Sequence, residues 1–462
     1  MLRRLCLHAK TELPASPSGP LVLPNSAARQ NNLRRQLGLG SAAAAVAGEA
    51  IGVGIFLTPA GMTRQLGSPF WLLMVWLLMG LMAVAGALCF GGLAARYPEA
   101  GGAYVYLREA FGPRLAFLYG WMQLLVIDPG VTASLAVGMA AYTASVIRIT
   151  PAEQKILGIV AIFVLAAVNM RATRLGAGFL QGLTWLKIGA LALLVVWALA
   201  LGLGDWSHFI PFVAQRPGSS PLFAGLAASS MAAFYSFGGW WEGTKITEEV
   251  REPERNMPRA LMLGVIAVTL VYILITGVFV YLVPIGRITS DETFMTQAGG
   301  RMFGTAGASV MAALVVLCVL ACMAALMMLS PRVYYAMARD GLFFNAIAKT
   351  HPVYGTPARA IAIQAVLASL LVVLGSFNQI VAYFVFVAVV FLGLTVAGTF
   401  RLDVLNRNNA RPRVLGYPYT PLAFLALVAL MLLLLASRSP LQALLGVLVV
   451  LVGVPAFRLV QK

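Results

Sequence analysis

Apolar runs recur along this chain from residue 38 almost to its last residue. They are roughly 18 to 28 residues long, and an α-helix of that length crosses the hydrocarbon layer of a bilayer. Between the runs, no polar segment is long enough to form a separate soluble core. The pattern predicts an all-α integral membrane protein with twelve transmembrane helices, numbered here in chain order: 38–63, 69–94, 114–146, 155–170, 176–203, 222–244, 260–284, 303–330, 358–375, 379–400, 419–436 and 440–457.

Glycines interrupt two of the predicted helices near the middle of the membrane. Helix 1 contains "GEAIGVGIF" (residues 48–56), and helix 6 contains two adjacent glycines in "AFYSFGGWWEGTKITEEV" (residues 233–250). An unwound backbone in lipid leaves amide and carbonyl groups unpaired, so it persists only where protein or a polar ligand binds them. We therefore predict that helices 1 and 6 are discontinuous and form a site between them. Close helix packing through Gly48 and Gly52 is the alternative explanation for helix 1.

The two interrupted helices lie five helices apart. Because five is odd, a second five-helix unit enters the membrane from the opposite side, which is the pattern of an inverted repeat. The segments "PEAGG" (98–102) and "TQAGG" (296–300) follow the second helix of each unit. The predicted organisation is a cytoplasmic tail at 1–36, repeats at 37–203 and 204–400, and helices 11 and 12 with a short C-terminus at 401–462.

The predicted break in helix 1 offers both polarities that a zwitterion requires. The outer half begins at Val53 and Gly54, whose free N–H groups and positive dipole end suit a carboxylate. The inner half ends near Ala50 and Ile51, whose carbonyl groups suit an ammonium group or another cation. The sequence thus predicts a ligand with adjacent negative and positive groups.

Positive charge is concentrated on one predicted side of the membrane. The formal net charge is +17, although 60% of the residues are hydrophobic. With the N-terminus inside, 25 of the 33 lysines and arginines fall in the tail and after even-numbered helices, and seven fall after odd-numbered helices. This asymmetry follows the positive-inside rule and predicts a cell-membrane protein with both termini in the cytoplasm, not a nucleic-acid-binding protein. Residues 1–36 lack the compact apolar core of a signal peptide.

Four segments resemble the amino acid–polyamine–organocation transporters, and within them the bacterial amino acid permeases and the L-type exchangers. They are "AIGVGIF" (50–56), "ARYPEAGGAYVYLREAFGP" (95–113), "SFGGWWEGTKITEEVREPERNMPRA" (236–260) and "RVYYAMARDGLFFNAIAKTHP" (332–352). The resemblance covers nearly the whole chain beyond the tail. It implies a LeuT-like fold of five plus five helices with two more at the end, and transport of an amino acid by alternating access.

The resemblance also implies which residues bind the substrate. The substrate carboxylate would meet the N–H groups of Val53 and Gly54, and the amine would meet carbonyl groups on both broken helices. Tyr235 stands where relatives often have an aromatic gate over the substrate, with simple packing as the alternative. The full predicted set is Ala50, Ile51, Gly52, Val53 and Gly54 on helix 1, and Tyr235, Ser236, Phe237, Gly238 and Gly239 on helix 6.

Lys187 is the principal candidate for proton coupling. It lies well inside helix 5, where a charge costs about 2.5–3.5 kcal/mol on insertion scales and burial favours the neutral amine. In several proton-coupled relatives that the chain resembles, a lysine at the matching position stands where sodium binds in sodium-coupled carriers. Helix 8 has no serine or threonine from Val310 to Leu329 to bind such a cation. Proton-coupled symport is therefore predicted, with a snorkelling or structurally paired lysine as the alternative.

Three acidic residues lie in or near the hydrocarbon region. Glu49 replaces the family's usual small or neutral residue and ends the inner half of helix 1, where the helix dipole disfavours a carboxylate. It is expected to be neutral, or paired with Lys187 or with a cationic group of the substrate; its role is a proton carrier, a selector for amine-bearing substrates or a permanently hydrogen-bonded acid. Asp128 precedes Pro129 on helix 3 and is expected to satisfy the carbonyl group that this proline frees. Glu242 is within reach of cytoplasmic water or Lys245.

Other functions lack support in the sequence. The histidines fall in the tail or loops, and neither H-E-x-x-H nor G-x-S-x-G occurs, so we expect no enzyme, metal site or cofactor. None of the four cysteines lies in an external loop, so we expect no covalently linked partner subunit. The likeness to L-type exchangers at residues 236–250 favours exchange over symport, and a non-transporting amino acid sensor is a third alternative. No motif specifies the transported side chain.

Overall fold

A computed structural model describes residues 35, 37–51, 54–99, 101–171, 177–288, 294–348, 351, 356–405 and 414–460. Regular secondary structure in these ranges is helical, and one isolated backbone bridge joins Leu37 to Val250. That bridge ties the segment before helix 1 to the end of helix 6, through Leu37 N to Glu249 O at 3.0 Å and Arg251 N to Leu37 O at 2.9 Å. The predicted N-terminal tail, residues 1–36, falls almost entirely outside the described ranges.

Each predicted apolar run coincides with a helix or with successive helical segments, so the numbers 1 to 12 are kept. Within the described ranges, ten helices are long and apolar enough to cross a membrane, and Lys187–Ala200 and Ala358–Leu374 are shorter apolar helices. The prediction of an all-α, multi-pass membrane protein is confirmed. The bounds are Leu39–Leu57 (helix 1), Pro69–Arg96 (2), Pro113–Ala144 (3), Pro151–Arg171 (4), Ala177–Ala200 (5), Leu222–Glu249 (6), Pro253–Leu282 (7), Phe294–Arg339 (8), Ala358–Leu374 (9), Phe377–Leu405 (10), Tyr419–Arg438 (11) and Pro440–Val460 (12).

Proline begins several of these helices, because its missing N–H is no loss in the first turn. Helices 2, 3, 4, 7 and 12 all start at a proline. Helix 8 differs most from its predicted range: it begins at Phe294, and Phe303 and Gly304 interrupt it with non-helical backbone angles. A short helical segment therefore precedes the membrane-crossing part of helix 8.

Helices 2 and 7 pack along each other, as do helices 3 and 8, and helix 1 packs against helix 7. Small residues permit the close approach. A Cβ atom at Gly91 of helix 2 would lie 2.6 Å from Pro258 Cα of helix 7, and one at Gly264 of helix 7 would lie 2.7 Å from Val46 Cγ1 of helix 1. Helices 11 and 12 lie outside this core, against helices 2, 3, 6 and 10.

A side chain at Gly91 should separate helices 2 and 7. We expect Gly91→Val to lower the free energy of unfolding by about 1–3 kcal/mol, because the added atoms meet the backbone of Pro258 and not a flexible side chain. Thermal unfolding of the purified protein in detergent measures the change. Gly277→Val on helix 7 is the matched control, since nothing lies within 4 Å of a Cβ there. Equal melting temperatures for the two variants would contradict this packing.

Candidate functional site

Helix 1 is broken where the sequence predicts. Its inner half ends at Ala50, Ile51 leaves the helical conformation at φ −72° and ψ 61°, and its outer half begins at Gly54. Ala50 and Ile51 are buried, so their carbonyl groups face the protein interior and not bulk water. Gly52 and Val53, predicted to bind the substrate, lie outside the described residues.

Helix 6 is broken at its paired glycines. The outer half ends at Phe237, Gly238 is extended, and Gly239 has φ 103°, a conformation that favours glycine. A 3₁₀ segment, Trp240–Glu249, then continues towards the predicted cytoplasmic side. A Cβ atom at Gly239 would lie 2.8 Å from the backbone oxygen of Glu49, so this glycine also lets the two breaks meet.

One buried hydroxyl group on helix 7 serves both breaks. Tyr272 Oη lies 2.7 Å from the carbonyl oxygen of Ala50 and 2.8 Å from that of Ser236. A tyrosine has one proton to donate, so the two carbonyl groups share it. Its ring packs edge-on against Trp76 and Phe237, with centroids 5.1 Å away in each case. Sequence reasoning missed Tyr272, because the rule that unwound backbone needs donors does not say which helix supplies them.

The outer halves of helices 1 and 6 are bonded to each other. The hydroxyl oxygens of Thr58 and Ser236 are 2.6 Å apart, and Thr58 Oγ1 also donates to the carbonyl oxygen of Gly54 at 3.0 Å. A Cβ atom at Gly54 would lie only 2.4 Å from Ser236 Cα. Gly54 therefore contributes close approach as well as a free N–H group.

Lys187 reaches the break from helix 5. Its side chain is 5% exposed, and Nζ donates to the carbonyl oxygen of Ile51 at 3.1 Å and to Cys322 Sγ of helix 8 at 3.6 Å. The lysine thus links helices 1, 5 and 8. A pair between Lys187 and Glu49, one of the alternatives for Glu49, is not formed among the described residues, and the ammonium group donates to the carbonyl group at the end of the inner half-helix instead.

The carbonyl groups predicted for the substrate amine already accept protein donors. The Tyr272 hydroxyl group donates to the carbonyl oxygens of Ala50 and Ser236, and the Lys187 ammonium group donates to that of Ile51. Each carbonyl oxygen has two lone pairs, so each retains one for a further donor. The site can therefore accept an amine while its backbone stays bonded.

Tyr235 connects helix 6 with helices 3 and 10. Ser134 Oγ of helix 3 donates to its hydroxyl oxygen at 3.2 Å. Its ring meets Phe377 and Phe384 of helix 10 at centroid distances of 5.7 and 5.9 Å, with interplanar angles of 87° and 65°. The ring is 9% exposed, so it closes the space beside the break.

Glu49 lies near charged residues of two other helices. Among the described residues, its carboxyl group makes no hydrogen bond or ion pair. It nevertheless lies within electrostatic reach of Lys187 on helix 5 and of Glu242 and Lys245 on helix 6. Glu49, Glu242 and Lys245 are called the inner charged cluster below. Glu242 and Lys245 form an ion pair there.

The exposed face of the inner half of helix 1 carries small and polar residues. Gly40, Ser41, Ala44 and Glu49 are all exposed. A lipid-facing surface would carry large apolar side chains, as helices 4 and 12 do. The exposed positions of helix 1 therefore differ in composition from those of helices 4 and 12.

Asp128 bonds across the bundle and not within its own helix. Tyr334 of helix 8 donates to Asp128 Oδ2, and Asp128 is otherwise buried. The segment before Pro129, Gln123–Ile127, is a π-helix in which Asp128 N bonds to Gln123 O. That bond pairs the Gln123 carbonyl group, and the partner seen for the Asp128 carboxyl group is Tyr334; its bond to the carbonyl group that Pro129 frees stays a prediction. In the described part of the chain, no cluster of histidine, cysteine and acidic residues could hold a metal ion.

Comparison with known proteins gives a consistent picture. The model of a family described as amino acid permease matches residues 37–454. A serine/threonine exchanger of Bacillus subtilis is 28% identical over 86% of this chain and 90% of its own. The large neutral amino acids transporter small subunit 2 of Homo sapiens is 27% identical over 92% of this chain and 80% of its own. The b(0,+)-type amino acid transporter 1 of Mus musculus is 27% identical over 83% and 79%, respectively.

Removing the Tyr272 hydroxyl group should destabilise the backbone at the breaks of both helices. We expect Tyr272→Phe to lower the free energy of unfolding by about 1–3 kcal/mol, because two buried carbonyl groups lose their shared donor. Thermal unfolding in detergent is the measurement. Tyr383→Phe is the control, since the Tyr383 hydroxyl group has no hydrogen-bond partner among the described residues. If Tyr272→Phe is no less stable than the control, the Tyr272 hydroxyl group does not stabilise the two breaks.

Proposed function

This chain belongs to the amino acid permease family, and from that premise we propose that it moves amino acids by alternating access, coupled to protons through Lys187. It is an amino acid transporter and a multi-pass membrane protein, and not an enzyme, because the relatives that match it over most of its length are transporters. The observation that carries the proposal is the contact of Lys187 with the carbonyl group at the break of helix 1.

We propose that the helices form the LeuT-like inverted repeat of helices 1–5 and 6–10. Such a repeat exchanges each helix with the one five places later, so contacts must occur in matched pairs. Helix 1 packs on helix 7, and helix 6 packs on helix 2; helix 3 packs on helices 9 and 10, and helix 8 packs on helices 4 and 5. These matched contacts, with breaks in helices 1 and 6, support the proposal.

We propose that the substrate lies between the two breaks. Its carboxylate would bind the N–H groups that begin the outer half of helix 1, at Val53 and Gly54. Its amine would bind the remaining lone pairs of the Ala50 and Ile51 carbonyl groups. Tyr235 would close the site from the predicted external side. Burial of Ala50, Ile51, Gly54 and Tyr235 away from bulk water supports this arrangement, because a charged ligand then competes with little solvent.

Protonation of Lys187 would control the inner half of helix 1. A charged ammonium group donates stronger hydrogen bonds than a neutral amine. The protonated lysine therefore holds Ile51 of helix 1 near Cys322 of helix 8, and loss of the proton weakens that link. Movement of helix 1 would then be coupled to movement of a proton.

Exchange of one amino acid for another is the second candidate. One relative, 28% identical to this chain, is itself named an exchanger. An exchanger needs no proton switch, and Lys187 would then serve only to bond the broken backbone. The two candidates differ in whether a proton gradient alone drives accumulation.

We further propose a cell-membrane location, cytoplasmic termini and no covalently linked subunit. The human relative is named a small subunit, so assembly with a second chain is a relevant alternative. Cys89, Cys318 and Cys322 all lie on membrane helices and have free thiol groups. That placement supports the absence of a disulfide to an external partner.

Proteoliposomes with an imposed pH gradient separate symport from exchange. Among radiolabelled serine, leucine and lysine, the one taken up fastest is the probe. We expect an inward proton gradient to drive its accumulation by the wild type, and Lys187→Met to lose this effect because the side chain cannot bind a proton. Lys155→Met, at an exposed lysine of helix 4, is the matched control.

Preloading the liposomes with unlabelled amino acid supplies the contrasting result. If preloading drives uptake while the proton gradient does not, then exchange is correct and symport is wrong. If the wild type binds the probe but accumulates it under neither condition, the protein is a sensor.

Glu49 tests the charge of the inner charged cluster. Its carboxyl group has no hydrogen-bond partner among the described residues, which favours the roles of selector and proton carrier over that of a permanently hydrogen-bonded acid. As a selector, Glu49 should favour lysine over its neutral analogue norleucine, and Glu49→Gln should reduce that preference roughly two- to five-fold, the size expected for a solvent-exposed ion pair. Competition against radiolabelled uptake measures it, with Glu254→Gln as the control on an exposed surface.

The pH profile of the same variant distinguishes the other role. A shifted profile with unchanged preference would identify Glu49 as a proton carrier. If neither the profile nor the preference changes, Glu49 has no part in transport.

A further inference from the structure

The segment between helices 5 and 6 carries large apolar side chains on its surface. Trp206, Ile210, Phe212 and Val213 are between 46% and 75% exposed. Loops that face water are usually polar, and a concentration of exposed apolar side chains marks contact with another protein or with a membrane. These four residues are called the apolar loop surface below.

Hydrogen bonds hold the backbone of this segment in place. Arg216 Nη2 donates to the carbonyl oxygen of His208 at 2.6 Å and to that of Ile210 at 3.0 Å. Ser68 Oγ, just before helix 2, donates to the carbonyl oxygen of Phe212 at 3.0 Å. Turning the apolar side chains inward would break these bonds and leave polar groups without partners, which is unfavourable. The exposure is therefore a fixed feature of the fold.

The segment lies at the level where membrane helices end. Tyr281 is the last residue but one of helix 7, and its carbonyl oxygen accepts from Asp205 N at 2.9 Å and lies 2.8 Å from His208 Nδ1. The ring of Trp206 packs on the ring of Tyr281, with centroids 4.7 Å apart. Ser68, which also bonds the segment, is the N-cap of helix 2. Tryptophan and tyrosine are enriched where the hydrocarbon core meets the headgroups, which is the level of these helix ends.

The apolar loop surface continues the lipid-facing surface of its neighbours. Val196, Leu199 and Leu201, at the end of helix 5 and just after it, are exposed, and Phe223 in the first turn of helix 6 is also exposed. Between residues 201 and 214 the sequence has no lysine or arginine, and its one acidic residue is Asp205. Binding to a membrane interface strengthens with the apolar area that enters it. Since lipid covers the exposed apolar side chains before and after the segment, lipid is the occupant that this surface favours.

The same segment holds the predicted external ends of both broken helices. Gln215 Nε2 donates to the carbonyl oxygen of Leu66 at 3.0 Å, and Arg216 N donates to that of Gly67 at 3.1 Å. Those carbonyl groups end the short helix Pro59–Leu66, which follows helix 1. The segment then runs directly into the outer half of helix 6, which begins at Leu222. A segment fixed at the membrane surface therefore fixes both outer halves at their external ends.

We propose that the apolar loop surface inserts among the phospholipid headgroups on the predicted external side and anchors helices 1 and 6 to that face of the membrane. Its occupant is phospholipid, at the boundary between the headgroups and the acyl chains. Insertion needs neither a substrate nor a proton, so the proposal goes beyond the proposed function and does not depend on it.

The depth of a spin label tests the proposal. Val213→Cys and Phe212→Cys are each labelled with a nitroxide and reconstituted in phosphatidylcholine liposomes. Electron paramagnetic resonance then compares relaxation of the label by oxygen, which concentrates in lipid, with relaxation by a water-soluble nickel complex. We expect oxygen to relax both labels more strongly than the nickel complex does. Wild type treated in the same way supplies the background from the four native cysteines.

Arg287→Cys is the matched control, at an exposed position on the same predicted side, in the segment after helix 7. There the order should be reversed, with the nickel complex relaxing the label more strongly than oxygen does. If the labels at residues 212 and 213 behave like the label at residue 287, the surface faces water and the proposal is wrong. Labels that neither reagent reaches would show burial against protein, and they would equally overturn it.

Discussion

An unwound helix inside a membrane must find partners for its backbone groups, and the Tyr272 hydroxyl group meets that requirement for two helices at once. It lies 2.7 Å from Ala50 O and 2.8 Å from Ser236 O, so the breaks of helices 1 and 6 have to face each other across helix 7. Glycines at the breaks then become necessary, because a side chain at Gly239 would collide with the backbone of helix 1. Since one proton serves two acceptors, a small shift of either helix changes which carbonyl group it satisfies.

The end of the inner half of helix 1 explains why Lys187 and Glu49 behave differently. Exposed carbonyl groups make this end negative, which attracts an ammonium group and repels a carboxylate. Lys187 accordingly bonds to Ile51 O at 3.1 Å, and among the described residues Glu49 makes no bond to the lysine. Pairing of the two side chains, one of the alternatives for Glu49, rested on their opposite charges alone. The carbonyl groups at the helix end compete with Glu49 for Lys187, and one of them, on Ile51, accepts its hydrogen bond.

The fold and the breaks were predictable because their signals are local. Apolar runs mark membrane helices, and adjacent glycines within such runs mark interruptions, so both are visible within a few residues. The partners of the site are not local: Tyr272 is 222 residues from Ala50, and Tyr334 is 206 residues from Asp128. A tyrosine in an apolar run gives no sign of which distant carbonyl or carboxyl group it will meet. Asp128 follows the same pattern, since the local rule about Pro129 gives no sign of its bond to Tyr334 on another helix.

The charged groups on the two sides of the breaks differ. Towards the predicted cytoplasmic side, Glu49 lies within electrostatic reach of Glu242 and Lys245, which form an ion pair. Towards the predicted external side, the bonded pair Thr58 and Ser236 joins the outer halves of helices 1 and 6. A cavity of about 240 Å³ that Thr58 lines has Arg438 as its charged side chain among the described lining residues. A zwitterion that enters from outside would therefore approach a positive group first and the mixed charges of the inner charged cluster beyond the breaks. The substrate site proposed between the breaks would be common to both directions of transport.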